Sequence, residues 1–304
     1  MKKFLAILVT ICLLAGALSV TAFAASDVLT ISAIVKGKPV VIGSYDNFED
    51  GWNAAMKLAG DEDEMKENGY ERIVVDLHTD WEANDDGEFT EEIWNGAGFD
   101  NDTIYIPADA RVTLNLNGHT IDRGLTDNEN NGEVICVDSD ADIIINDGTI
   151  KGGHSDTGAG GIHVKSRVNI TLNNVHIVGN AANEDDGGGI QLLGGSTLVM
   201  NGGSFRDNRL IGTTAYSYGG AIDVSNSTAV FNNVEFKNNL SDSDNRYGAA
   251  IAADDSDVTL NGCTFVGNGL APSDDSTRDS LSVIYAKRSK FTVKDSTFNN
   301  NRAA

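Results

Sequence analysis

The sequence has few of the residues that brace a fold from outside its core. There are 3 prolines and 3 cysteines in 304 residues. One cysteine falls in an N-terminal leader, so Cys136 and Cys263 remain, too few for a disulfide framework. The five histidines (His78, His119, His154, His163, His176) show no zinc-binding spacing. Positive charge is scarce: 22 Lys and Arg against 45 Asp and Glu give a formal charge of −23. Such a surface repels nucleic acid and anionic membranes, and neither is an expected partner. What the chain does have is 33 glycines and 40 % hydrophobic residues, enough for a core joined by many tight turns.

Residues 1–24 read as a secretory signal peptide. Lys2 and Lys3 precede an apolar run, and Ala22-Phe23-Ala24 offers a small-x-small cleavage site before Ala25. The run is too short and wrongly flanked for a permanent span. No other long apolar run follows, so no integral membrane span is expected once the signal is removed.

The rest of the chain is periodic. An apolar residue recurs at Ile121, Ile150, Ile177, Phe205, Phe236, Phe265 and Phe298, in steps of 27 to 33 residues. Four residues before each stands Asn117, Asn146, Asn173, Asn201, Asn232 or Asn261, with Lys294 breaking the series. Gly, Asp or Asn comes next, the types that tolerate a left-handed backbone. Three residues after the anchor come Asn180, Asn208, Asn239, Asn268 and Asn301, with Gly124 and Gly153 in the first two repeats. A second apolar series, Ile135, Ile162, Ile190, Ile222, Ile251 and Ile284, precedes the first by 14 or 15 residues. Between them, alternating pairs such as Ile143/Ile145 and Val258/Leu260 mark another inward-facing strand.

Hairpins of a meander give no reason for one side-chain type to recur at every turn, whereas stacked coils do. The expected fold is therefore all-β, a single-stranded right-handed parallel β-helix over residues 111–304. This solenoid would have about 6–7 coils, each with three short strands, two tight turns and one variable loop. Its asparagines would stack as amide ladders inside the turns. The phrases "GGGI" (Gly187–Ile190), "YGGAID" (Tyr218–Asp223) and "YGAAI" (Tyr247–Ile251) alternate with "FRDN", "FKNN", "FVGN" and "FNNN". This pattern resembles the GGA[ILV] and FxxN repeats of chlamydial polymorphic membrane proteins and, more broadly, the pectin-lyase-like superfamily. The resemblance covers about residues 110 to 301 and implies the fold. It leaves function open, because that superfamily includes lyases, hydrolases, adhesins and structural surface proteins. It also implies a protein that is secreted, extracellular or on the cell surface of a bacterium.

Residues 25–110 lack the repeat and are expected to form a small α/β N-terminal cap over the open end of the solenoid. Asp46 and Glu49 are spaced as a capping box, and Phe48, Trp52, Ala55, Met56 and Ala59 predict an amphipathic helix over 47–59. All three tryptophans (Trp52, Trp81, Trp94) lie here. A sugar-stacking module is the alternative to a cap.

On the isoleucine-bearing strand the following residue should point outward: Cys136, His163, Gln191, Asp223, Ala252, Tyr285. Two positions on come Asp138, Lys165, Leu193, Ser225, Asp254 and Lys287. The residues preceding each isoleucine are often small (Gly161, Gly189, Ala221, Ala250), which would let a ligand approach. The variable loops enter the same strand, and loops on one edge of a solenoid commonly build its binding face. Ligand-binding candidates are Gln191, Asp223, Tyr216, Tyr218, Tyr247 and Tyr285, with tyrosines stacking on sugar rings. No cofactor is required; Ca²⁺ is the cation that Asp185, Asp186 and Asp254 would hold.

Catalytic candidates are Lys165, His163, Asp223 and Asp254. Lys165 or His163 would serve as base at C5 of a uronate, or the two aspartates as acid and base of a hydrolase. The clustered motifs of polygalacturonases are absent. The favoured function is a secreted or cell-surface binding scaffold, adhesin-like, for a polysaccharide, a glycan or a host or cell-surface protein. A polysaccharide lyase or glycoside hydrolase acting on an acidic polysaccharide comes second, and a structural spacer third. A downstream domain or partner covering the last coil is also expected, since an open top rung is an exposed edge.

Overall fold

The protein is described here in a computed structural model over residues 27–83, 103–125, 132–156, 158–183, 187–211, 217–241, 246–269 and 282–301, excepting the side chains of Ser217 and Arg246. The signal-peptide residues, Trp94, Asp185, Asp186 and Tyr216 lie outside these ranges.

The N-terminal end starts antiparallel. Strand β1 (Leu29–Val35) pairs with β2 (Lys38–Tyr45) on one side and β3 (Arg72–Leu77) on the other. Helices α1 (Phe48–Ala59) and α2 (Glu62–Asn68) run between β2 and β3. The N-cap of α1 is Asn47, which accepts from the Asp50 amide at 2.8 Å; Asp46 does not fill that role. Glu49 instead accepts from Trp81 Nε1 at 2.7 Å. Phe48 stacks on both Trp52 and Trp81, at 5.9 and 4.7 Å. Both tryptophans are buried, so their rings close the end of the core and present no face to a sugar.

β3 then pairs in parallel with Arg111–Asn115, and every later strand pairing among the described residues is parallel. A long sheet stacks Arg111–Asn115, Asp142–Lys151, Asn169–Val178, Thr197–Asn201, Thr228–Asn232, Asp257–Asn261 and Lys290–Lys294. A lateral, seven-stranded sheet stacks Ile104–Ile106, Ile135–Val137, Ile162–Val164, Ile190–Leu192, Ile222–Ser225, Ile251–Asp254 and Ile284–Lys287. Its first strand starts at Ile104, ahead of the expected start at 111. Among the described residues a short third sheet, from His154–Ser155 to Leu240–Ser241, adds a strand that periodicity did not predict. The chain is a right-handed β-solenoid of about six turns.

Burial explains the repeat. The anchors from Ile121 to Phe298 pair in register, and Phe205, Phe236, Phe265 and Phe298 stack at 5.1, 4.5 and 4.4 Å. Two asparagine ladders flank them. The ladder before the anchors runs Asn115, Asn146, Asn173, Asn201, Asn232, Asn261, each Nδ2 donating to the preceding Oδ1 at 2.7 to 2.9 Å. Its first rung is Asn115 rather than the expected Asn117, whose amide donates to Leu77 O. The reason is geometric: the first turn carries two more residues between ladder and anchor than the later ones, so counting back four lands inside the turn. The second ladder, Asn180, Asn208, Asn239, Asn268, Asn301, is buried except at its last rung.

The glycine-rich phrases have a steric origin. The first Gly sits at positive φ (85° at Gly187, 78° at Gly219, 73° at Gly248). At the next position a Cβ on Gly188 would lie 2.4 Å from the Arg209 and Gly220 carbonyl oxygens. The small residues before the isoleucines are buried likewise, Gly161 against the Asn180 side chain, so their size serves internal packing and not ligand approach.

Candidate functional site

The lateral sheet turns its isoleucines inward, so one outward row runs Tyr105, Cys136, His163, Gln191, Asp223, Ala252, Tyr285 in strict register. This is the row the sequence indicates, extended one rung by Tyr105. Its exposure differs from expectation. Cys136 is fully buried, Gln191 is 6 % and Asp223 2 % exposed, while His163 and Tyr285 are partly exposed. Outward from the bore is not outward to solvent here. The chain reverses at Gly219 and Gly248 just before the strands, pairing Ser217–Tyr218 with Arg246–Tyr247 as a second layer. Tyr218, Tyr247 and Tyr285 gather there, with ring centroids 5.2 Å (218–247), 4.4 Å (247–285) and 5.8 Å (218–285) apart. All three stay partly exposed. Near this end Asp223 accepts from Ser225 Oγ at 2.9 Å.

The opposite end of the row is polar. The Tyr105 hydroxyl donates to Asp138, and Lys165 Nζ lies 3.5 Å from the same carboxylate. Burial and this hydrogen bond push the Tyr105 phenol up, so it stays protonated. Burial alone would raise the Asp138 carboxyl, but hydrogen bonds from Tyr105 and the Ser139 amide, with the Lys165 charge, hold it below the ordinary range. Beside them Glu133, Cys136 and His163 bring one ligand-type atom each within 4.8 Å of one another. Burial first, and then the Glu133 charge, push the Cys136 thiol well up. Asp254 is remote from this end and bound by two cations, Lys287 at 2.9 Å and Arg288 at 2.7 Å. The structure thus brings together Lys165 and His163 at one end and Asp223 with the tyrosines toward the other. It does not unite the four catalytic candidates.

Two contributors escape the sequence reading. Tyr105 falls in the region 25–110 expected to form the cap, although Ile104, 31 residues before Ile135, continues the isoleucine series. Glu133 has no periodic signature. A serine ladder was also missed: Ser196, Ser227 and Ser256 donate their amides to the next rung's Oγ (Ser227, Ser256, Ser289) at 3.0 to 3.2 Å. It lines a cavity of about 520 Å³ with Asn226, Asp255 and Arg288, which directly follow three of the lateral strands.

A family model described as a right-handed beta helix region matches residues 104–304, about two thirds of the chain, and the protein belongs to that family. No curated protein and no solved structure gives a match. The fold and its repeats define a β-helix scaffold.

Proposed function

We propose that the chain is an exported surface scaffold that binds a neutral, extended glycan on the outer face of the lateral sheet, in the manner of an adhesin. The observation that carries this reading is the Tyr218–Tyr247–Tyr285 cluster, in which three partly exposed rings from three successive coils meet. Tyrosine offers an apolar ring and a hydroxyl together, matching the apolar face and hydroxyl rim of a sugar. The formal charge of −23 argues against an anionic ligand arriving without cations. Export rests on the leader at 1–24, and the pectin-lyase-like resemblance supports an extended polysaccharide. The test is retention of untagged protein in gels containing neutral polysaccharides. Tyr247→Ala should weaken retention about tenfold, equal to about 1.4 kcal/mol. Equal retention of wild type and variant on every retaining polysaccharide, or retention on none, would overturn the reading.

One observation favours a lyase or hydrolase as second reading: His163 on Ile162–Val164 and Lys165 just after that strand are both partly exposed, beside an ionised Asp138. That reading expects new chain ends from an acidic polysaccharide, with or without added Ca²⁺, and their loss in Lys165→Ala. No release from a panel of such polymers would remove it.

A further inference from the structure

We propose that Glu133, Cys136 and His163 form a mononuclear Zn²⁺ site. The three donors come from two adjacent rungs, Cys136 and His163 being register partners across parallel strands. Their ligand-type atoms lie within 4.8 Å of one another, and His163 Nδ1 is 3.7 Å from Glu133 Oε1. Zn–N and Zn–O bonds of about 2.0–2.1 Å give tetrahedral edges of about 3.4 Å, so modest side-chain adjustment closes the set around one ion.

A second observation points to the same place. Glu133 is only 3 % exposed, yet its Oε1 makes no hydrogen bond. A buried carboxylate oxygen without a donor is costly, and a cation would satisfy it. The donor chemistry selects the ion. Sulfur and imidazole nitrogen suit Zn²⁺ and not Ca²⁺ or Mg²⁺, which take oxygen. One thiolate and one carboxylate neutralise a divalent charge with a neutral imidazole as third ligand, so the loaded site carries no net buried charge. His163, with its side chain 15 % exposed, leaves a way in and a place for water as fourth ligand. Gly158 lies against the imidazole, where a Cβ would come within 2.6 Å of Nδ1.

Loading is balanced by a proton. The Cys136 thiol loses its hydrogen to solvent as the sulfur binds the ion. The groups facing that thiol are Glu133, Lys165, Asp138, Tyr105 and His163. Binding should therefore release protons and weaken as pH falls. The proposal is independent of the glycan reading.

The test uses untagged, chelator-stripped protein titrated with Co²⁺ and then Zn²⁺. One equivalent of Co²⁺ should produce a sulfur-to-metal charge-transfer band, which one equivalent of Zn²⁺ bleaches. Cys136→Ala should abolish the band. His163→Gln should lower Zn²⁺ affinity by more than about 100-fold, beyond what outer-shell changes reach. Should Cys136→Ala fail to fold, Glu133→Gln, which keeps the side-chain shape, should still lower affinity at least about tenfold with an unchanged circular-dichroism spectrum. Absence of the band in folded wild type, or Zn²⁺ binding of equal strength in folded Cys136→Ala or Glu133→Gln, would overturn the site.

Discussion

Two ladders of the same residue type run along this solenoid, and replacing one rung in each should separate buried from exposed hydrogen bonds. Asn208 is fully buried. Its Nδ2 donates to Ile177 O at 2.9 Å and Asn239 Oδ1 at 3.0 Å, and its Oδ1 accepts from Asn180 N and Nδ2, both at 3.1 Å. In Asn208→Ala, Asn239 Oδ1 still receives the backbone amide of residue 208 and Asn180 Nδ2 still reaches Ile150 O. The Asn180 amide and the Ile177 carbonyl lose the partner supplied by that side chain. At about 1–3 kcal/mol for each of these two buried groups left unsatisfied, the cost is about 2–6 kcal/mol. Asn201 also makes two ladder bonds, to Asn173 and from Asn232 at 2.9 Å, but it is exposed. Water replaces what Asn201→Ala removes, so the expected cost is below about 1 kcal/mol. Urea unfolding followed by far-UV circular dichroism reads both. The slope must be checked as well as the midpoint, because coils couple mainly to their neighbours and a local loss can blur the transition. Equal costs for the two variants would refute the reasoning, since ladder stability would then come from stacking alone and not from burial.

The core and the polar end of the row give two further expectations. Phe236→Ala, which removes a fully buried ring stacked on both neighbours, should cost about 3–5 kcal/mol by the same measurement, and far more than Phe298→Ala at the half-exposed end of the stack. The carboxyl of Asp138 is held low, so its stabilising effect is present above the unfolded value near ~3.9 and is lost as pH falls through the folded one. Asp138→Asn should therefore be about 1–2 kcal/mol less stable than wild type at neutral pH, with the gap closing below about pH 4; a gap that is constant with pH would sink this account.

Most of the scaffold was readable because stacking repeats the same demand at every coil. The anchors, the second asparagine ladder and the isoleucine series all recur at fixed offsets, and all fall where the counting places them. Counting failed where one coil differs from the rest, as at Asn117, whose turn carries two extra residues. The capping residue of α1 was misplaced by one because Asp46 and Asn47 are both good caps and backbone conformation decides between them. Exposure along the lateral row was misjudged for another reason. Alternation says which side of a strand a residue takes, but not whether the segment leading into the strand forms a second layer on that side, as Tyr218 and Tyr247 do. The zinc-type donors were passed over because spacing rules for metal sites assume ligands near in sequence. A solenoid brings Cys136 and His163 together across 27 residues by register alone.

The lateral sheet also shows where function can reside in such a fold. Its inward column is isoleucine at all seven rungs: Ile104, Ile135, Ile162, Ile190, Ile222, Ile251 and Ile284. Identical side chains at one spacing pack without voids, so stacking alone accounts for that column. The next column outward shares the same backbone, the same spacing and the same pairings, yet holds Tyr, Cys, His, Gln, Asp, Ala and Tyr. Nothing in ladder formation asks for that mixture, and several of its members cost free energy to bury beside unlike neighbours. Asp223 and Gln191 are nonetheless buried, and Glu133 Oε1 is left without a donor. A scaffold that can satisfy a rung with isoleucine, asparagine or serine has cheaper choices available at these positions. Their departure from the repeat is therefore a feature that stacking leaves unexplained, and the tyrosine cluster and the Glu133–Cys136–His163 group both lie on that face.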